Sequence, residues 1–245
     1  MTITIPMRRS YGRETDGLRP LKIETNALPH AEGSAYIKIG GTHVLCAATV
    51  EEIVPRWMKG TGKGWVTAEY ALLPRSTSER TQRESVKGRQ GGRTVEIQRL
   101  IGRALRSVVD MKVLGERQII LDCDVIQADG GTRCAAITGA YVALAQACEG
   151  LVKQKKIRRN PLKAMVGAIS VGVVNGVPLL DLDYGEDSSA DVDANIVMTD
   201  ANRFVEIQGT AEQEPFSPEV LQVMLDLASK GLQEIFAIQK QAIAG

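Results

Sequence analysis

Gln118-Ile-Ile-Leu-Asp-Cys-Asp-Val-Ile-Gln-Ala-Asp-Gly-Gly-Thr-Arg133 changes character midway. Residues 118–126 form a short Ile/Val/Leu run, as a strand does, and residues 132–149 form an Ala-rich helical run ending at Gly150. The joint between them is Asp129-Gly-Gly-Thr-Arg133. Glycine lets backbone approach an anion closely, the first-turn amides of a helix are unpaired donors, and the helix dipole favours negative charge there. Thr132 adds a hydroxyl and Arg133 a planar fork suited to phosphate oxygens. A plain strand-to-helix turn would use the same glycines, so both readings stay open on this segment alone. Gly91-Gly92-Arg93 opens a second helix in the same way, with Ile97, Leu100, Ile101 and Leu105 on one face of residues 94–110. Two such turns could cradle one phosphate from two sides.

Working outward, residues 34–39 and 42–50 flank Gly40-Gly41 and read as a hairpin. Residues 65–73 read as a third strand ended by Pro74, and residues 75–92 as a long, polar, exposed loop. The second half repeats the order. Residues 165–174 and 177–183 flank Asn175-Gly176, a strong hairpin signal, and residues 194–198 and 203–208 form another strand pair. Ser217 suits a helix N-cap and Pro218 the first helical position, with the helix running to about residue 241. Hairpins followed by helices, twice, predict an α+β fold of mixed sheets with packed helices. No composition shift marks a linker, and the basic stretch 153–159 reads as a solvated connection, so residues 1–245 are expected to form a single domain.

Charge is sorted into opposed blocks, although the net charge is only +1. Residues 181–200 hold seven acids and no base, whereas residues 75–106 hold eight Arg and one Lys against three Glu. An Asp-rich block suits a hard divalent cation and a basic block suits phosphate or a polyanion. Asp187 and Asp193 would sit ~20 Å apart on one straight strand, too far for one ion, so a shared site requires a bend near Ser188-Ser189-Ala190. A solvated acidic loop is the competing reading. Asp181 and Asp183 read as structural carboxylates at a strand end. Arg75, Arg80 and Arg83 lie on a hydroxyl-rich loop that could track a phosphodiester backbone without reading sequence, or could simply be a solvated surface.

Composition bounds the rest. The chain is 44% hydrophobic and 4% aromatic, ordinary for a packed domain and too apolar for disorder. Cys46, Cys123, Cys134 and Cys148 form no C-x-x-C pair, which argues against zinc and for reduced thiols in the cytoplasm. Residues 1–8 lack the apolar core of a signal peptide, and the apolar stretch 164–174 is too short to span a bilayer, so no membrane association is expected. His30 and His43 have no nucleophile pattern beside them, and there is no Walker P-loop and no Gly-x-Gly-x-x-Gly.

Several long motifs together resemble the ribonuclease PH family of phosphorolytic 3′-to-5′ exoribonucleases, which trim tRNA 3′ ends. They include His30-Ala-Glu-Gly-Ser34, Val44-Leu-Cys-Ala-Ala-Thr-Val50, Gly64-Trp-Val-Thr-Ala-Glu-Tyr70, residues 88–103, residues 121–133 and Glu186-Asp187. The resemblance implies a fold like domain 2 of ribosomal protein S5 and a homo-hexamer built as a trimer of dimers. It implies RNA, chiefly tRNA 3′ ends and not DNA, as substrate, inorganic phosphate as attacking group and Mg²⁺ as the ion. By motif, Arg93, Gly131, Thr132 and Arg133 would hold phosphate, and Asp187 and Asp193 would bind metal or move a proton. Arg93, Arg133, Asp187 and Asp193 would be the catalytic set, and Arg75, Arg80 and Arg83 would guide RNA. Two positions depart from the family pattern: Tyr11 stands where an acid is usual, and Cys134 where a hydroxyl residue is common.

Overall fold

A computed structural model describes residues 9–212 and 214–245; the N-terminal residues 1–8, read above as lacking a signal core, lie outside the described residues. The first half builds β1 (Leu21–Thr25), β2 (Gly33–Ile39), β3 (Thr42–Glu51), β4 (Trp65–Leu72), the single turn α1 (Glu84–Lys87), α2 (Gly92–Ser107), the short α3 (Met111–Leu114), β5 (Gln118–Gln127) and α4 (Thr132–Lys153). The second half builds β6 (Val166–Val174), β7 (Val177–Leu180), the single turn α5 (Tyr184–Asp187), β8 (Val192–Thr199), β9 (Phe204–Ala211) and α6 (Pro218–Ala244).

Two sheets result, one of order β1-β2-β3-β5-β4 and one of order β7-β6-β8-β9. The first is mixed, because β4 runs parallel to β5 across the α2 crossover while its other pairs are antiparallel. The second is wholly antiparallel. Gly40-Gly41 turns the β2–β3 hairpin with Ile39 opposite Thr42. Asn175 and Gly176 both take positive φ (50° and 74°), the conformation a two-residue hairpin turn demands and Asn-Gly accepts most readily. Ser217 caps α6 by accepting a bond from the Val220 amide.

Helix α4 packs on both sheets and is buried on nearly every side, from Ala135 to Leu151. It is long and apolar enough to cross a membrane by length and composition, yet 78% of its most apolar window is covered by the rest of the chain. Its hydrophobicity therefore reports a core helix. The helix does not stop at Gly150 but continues to Lys153, where an i,i+4 pair with Glu149 supports the last turn. Other departures are local: β7 ends at Leu180, and both the acidic run and the basic loop contain one helical turn.

Candidate anion and carboxylate site

The turn Asp129-Gly130-Gly131 sits where strand β5 gives way to α4, and both glycines take positive φ, 73° and 64°. Thr42, fully buried on β3, clamps it by donating from its hydroxyl to the Gly130 carbonyl (2.6 Å) and accepting from the Asp129 amide (2.9 Å). The turn lies directly against the acidic run. A Cβ on Gly130 would meet the Leu182 carbonyl at 2.6 Å and the Tyr184 amide at 2.9 Å, and that amide donates to Asp129 Oδ1 at 3.2 Å. Gly130→Ala is therefore expected to destabilise the fold by about 2 kcal/mol or more through strain and backbone collision, and to weaken anion binding. Thermal melts with and without phosphate read both effects.

Gly131 caps α4 without any side-chain acceptor, so the first-turn amides face the turn unclaimed by a cap. Thr132 is buried, and its hydroxyl accepts a bond from the Tyr70 hydroxyl (2.9 Å), which leaves the threonine proton free to donate outward. Burial pushes the Tyr70 phenol up, despite the opposing hydrogen bond to Thr132 and the charges of Arg93 and Arg133, so it remains a donor at neutral pH. The Arg133 guanidinium is held by Glu96 on α2 (3.1 Å) and Gln208 on β9 (3.0 Å). Arg93, in the first turn of α2, is exposed.

The carboxylates reach the same place by the bend the spacing demanded. Asp183 caps α5 in a capping box with Glu186, the helical turn ends at Asp187, and β8 begins at Val192 with Asp193 opposite Gly172. Asp187 and Asp193 are near enough for the charge of Asp187 to act on Asp193, and the charges of Arg93 and Arg133 act on both. Burial, and then the neighbouring Asp187 charge, push Asp193 up to about 6, with the two arginines opposing. Burial also raises Asp187. Asp193 Oδ1 is buried without a hydrogen-bond partner, an orphaned hard oxygen that suits a cation or a proton. No cluster of three or more metal-ligating side chains occurs among the described residues. A carboxylate pair completed by water and substrate oxygens is how Mg²⁺ is commonly held, so the donor set fits that ion.

A cavity of about 910 Å³ adjoins this site. Arg83, Lys87 and Arg89 line it on the loop side and Glu69, Asp122 and Asp124 on the sheet side, with Arg93 and Tyr70 at the boundary. Arg133, Asp187 and Asp193 lie outside its lining. Burial raises Asp122 and Asp124, with Arg83 opposing the rise at Asp124. Arg75 and Arg80 are exposed on the same loop, away from the cavity lining.

The two departures from the family pattern resolve differently. Cys134 is buried and its thiol donates to Asn195 Oδ1 (3.2 Å), so that side chain is engaged in the core. Tyr11 is exposed, while Arg9 and Arg13 on either side of it bind Glu186. Glu96, Gln208, Tyr70 and Thr42 were not singled out from the sequence. Glu96 and Tyr70 lie inside motifs quoted above, but nothing local marks Gln208 or Thr42.

Residues 17–148 match the 3′ exoribonuclease family, domain 1, and residues 164–231 match the same family, domain 2. Among solved structures, rice (Oryza sativa) Rrp46 is similar with a TM-score of 0.78 and 22% identity, covering 96% of this chain and 100% of that one. The Archaeoglobus fulgidus exosome with RNA bound to the active site matches with a TM-score of 0.77 and 20% identity, over 94% of this chain and 93% of that one. An archaeal exosome core matches with a TM-score of 0.74 and 19% identity, over 94% and 90%. These likenesses show an α+β fold of the ribonuclease PH type.

Proposed function

The chain belongs to the 3′ exoribonuclease family, and from that premise we propose that it is a phosphate-dependent 3′-to-5′ exoribonuclease acting on tRNA 3′ ends. The observation that carries this reading is the meeting of an open, arginine-flanked helix N-terminus with a half-buried carboxylate pair, through direct backbone contact at Gly130.

Orthophosphate sits at the start of α4, held by the Thr132 hydroxyl, the first-turn amides and the guanidinium groups of Arg133 and Arg93. It attacks the last phosphodiester phosphorus in line. The bond from phosphorus to the RNA 3′-oxygen breaks as a bond to phosphate oxygen forms, and the proton lost by the attacking phosphate balances the one the 3′-oxygen gains. The products are a nucleoside diphosphate and RNA shorter by one. A phosphoester is exchanged for a phosphoanhydride, so the reaction also runs toward nucleotide addition. Phosphoryl transfer needs mainly positioning and charge neutralisation, which fixed donors supply without a covalent enzyme intermediate. Asp187 and Asp193 face the departing oxygen, and Mg²⁺, when bound by them, supplies positive charge there. Arg83, beside the cavity, and Arg75 and Arg80 on the same loop steer the RNA backbone toward Arg93. The family resemblance supports a homo-hexamer built as a trimer of dimers, and the free thiols of Cys46, Cys123, Cys134 and Cys148 support a cytoplasmic setting.

Incubating RNA with and without orthophosphate tests the reading. Nucleoside diphosphates formed only with phosphate are expected. Nucleoside monophosphates would mean water is the nucleophile, and intact bound RNA would mean a non-catalytic subunit.

A further inference from the structure

Arg19 is, level with Asp181, the most deeply buried charged residue among the described residues, at 2% exposure, and the reaction above gives it no part. Its side chain faces two elements of the site at once. Nε and Nη2 bind the two oxygens of Asp181 at 3.0 and 2.7 Å, and the Arg19 amide binds Asp181 Oδ2 at 2.8 Å. Nη1 donates to the carbonyl of Asp129, the first residue of the anion turn. A Cβ on Gly131 would meet Nη2 at 3.3 Å, so the guanidinium also abuts the residue that caps α4. Asp181 is itself a non-glycine residue at φ 55°, a left-handed state that Asp adopts more readily than most residues and that its bonds to Arg19 hold in place. Burial disfavours the Arg19 charge, but the bonds to Asp181 together with the charges of Asp181, Asp129 and Asp183 outweigh it, so the group stays charged.

The same N-terminal segment holds the rest of the acidic stretch. Arg9 grips Glu186 through Nε (2.7 Å) and Nη2 (3.0 Å) and donates to the Leu180 carbonyl (2.7 Å). Arg13 binds the Asp181 carbonyl (2.6 Å) and Glu186 Oε2 (3.1 Å). Glu186 adjoins Asp187 in α5, so these bonds fix the turn that presents Asp187 toward Asp193 on β8.

We propose that Arg19 is a positioning residue: its fork ties the anion turn 129–131 to the acidic stretch 181–187 and so sets the distance between bound phosphate and the Asp187–Asp193 pair. The role rests on the phosphorolytic reading. A planar fork spans two acceptors in fixed geometry, whereas an ammonium of equal charge does not.

Two variants test it. Arg19→Lys keeps the charge opposite Asp181 but cannot also hold the Asp129 carbonyl in the same plane. Arg19→Met combined with Asp181→Asn removes both charges, leaves neither unpaired, and places at 181 a residue tolerant of positive φ. Phosphate KM, kcat and the phosphate-induced shift in melting temperature are measured for each. Both variants are expected to fold and to show a phosphate KM raised roughly tenfold or more, with a smaller phosphate-induced shift. A purely structural role would lower the melting temperature and leave the phosphate KM unchanged, and that result overturns the proposal. If the double variant misfolds, Arg19→Lys decides. A wild type indifferent to phosphate sinks the phosphorolytic reading together with this one, whereas a phosphate-dependent wild type with unaltered variants sinks the Arg19 role alone.

Discussion

Asp193→Asn is expected to abolish phosphorolysis and at the same time raise the melting temperature at pH 7. The fold holds Asp193 at about 6 instead of 3.8, because burial and the Asp187 charge both disfavour its ionised form. The folded state therefore binds more protons than the unfolded chain between these values. A raised carboxylate contributes stability while protonated, so stability falls as pH rises through that window, and by pH 7 the full cost is present. A displacement of this size corresponds to about 3 kcal/mol at most, and partial exposure reduces it to about 1–2 kcal/mol. Asparagine keeps the shape and removes the charge, so that cost is relieved. The gain should vanish near pH 4, where wild-type Asp193 is protonated in the fold. Mg²⁺ should raise the melting temperature of the wild type and leave the variant nearly unmoved, since binding to the folded state alone stabilises it by mass action. Calorimetry at pH 4, 6 and 7, with and without the ion, reads all three expectations. A variant less stable than wild type at pH 7 would show that the Asp193 charge is well compensated in the fold.

Arg93→Ala and Arg133→Ala should each lower kcat/KM for phosphate by about 10²–10³-fold, the usual effect of removing one preorganised donor from developing negative charge. Their stability costs should be small, set mainly by the compensating charge each removes from the half-buried Asp187 and Asp193. Arg93 is itself exposed, so its removal opens no cavity. Arg133 is braced by Glu96 and Gln208, but Glu96 is solvent-exposed and can be rehydrated. Arg133→Lys should recover only part of the loss, because an ammonium offers no paired donors to two phosphate oxygens. Glu96→Gln should affect phosphate binding less than Arg133→Ala, since it loosens one brace and leaves the Gln208 contact. Steady-state kinetics against phosphate concentration separates these effects from general damage.

Much of the fold was readable because its signals are local. The Gly40-Gly41 and Asn175-Gly176 hairpins, the Ser217-Pro218 helix start and the glycine turns before α2 and α4 each declare themselves within a few residues. Strand β1 carries no such signal: it is five residues long, lies at a sheet edge and has no fully buried position to impose alternation. The end of α4 was misplaced because glycine inside a helix costs only about 1 kcal/mol, and packing on both sheets overrides it. One ion cannot bridge Asp187 and Asp193 along a straight strand, which places a bend near residues 188–190, and the chain turns there between the end of α5 and the start of β8. The supports of the site were not readable. Arg133 meets Gln208 from 75 positions away, and Arg19 meets Asp181 from 162. Such pairs exist only after sheets and helices have assembled, and a single sequence holds no periodic trace of them.

In the proposed reaction orthophosphate enters as the nucleophile at the start of α4. RNA incubated with ³²P-orthophosphate tests this most directly. The label is expected in the β-phosphate of released nucleoside diphosphates, and to disappear from product in the Arg133→Ala protein. Unlabelled nucleoside monophosphates released at the same rate with or without orthophosphate would contradict it.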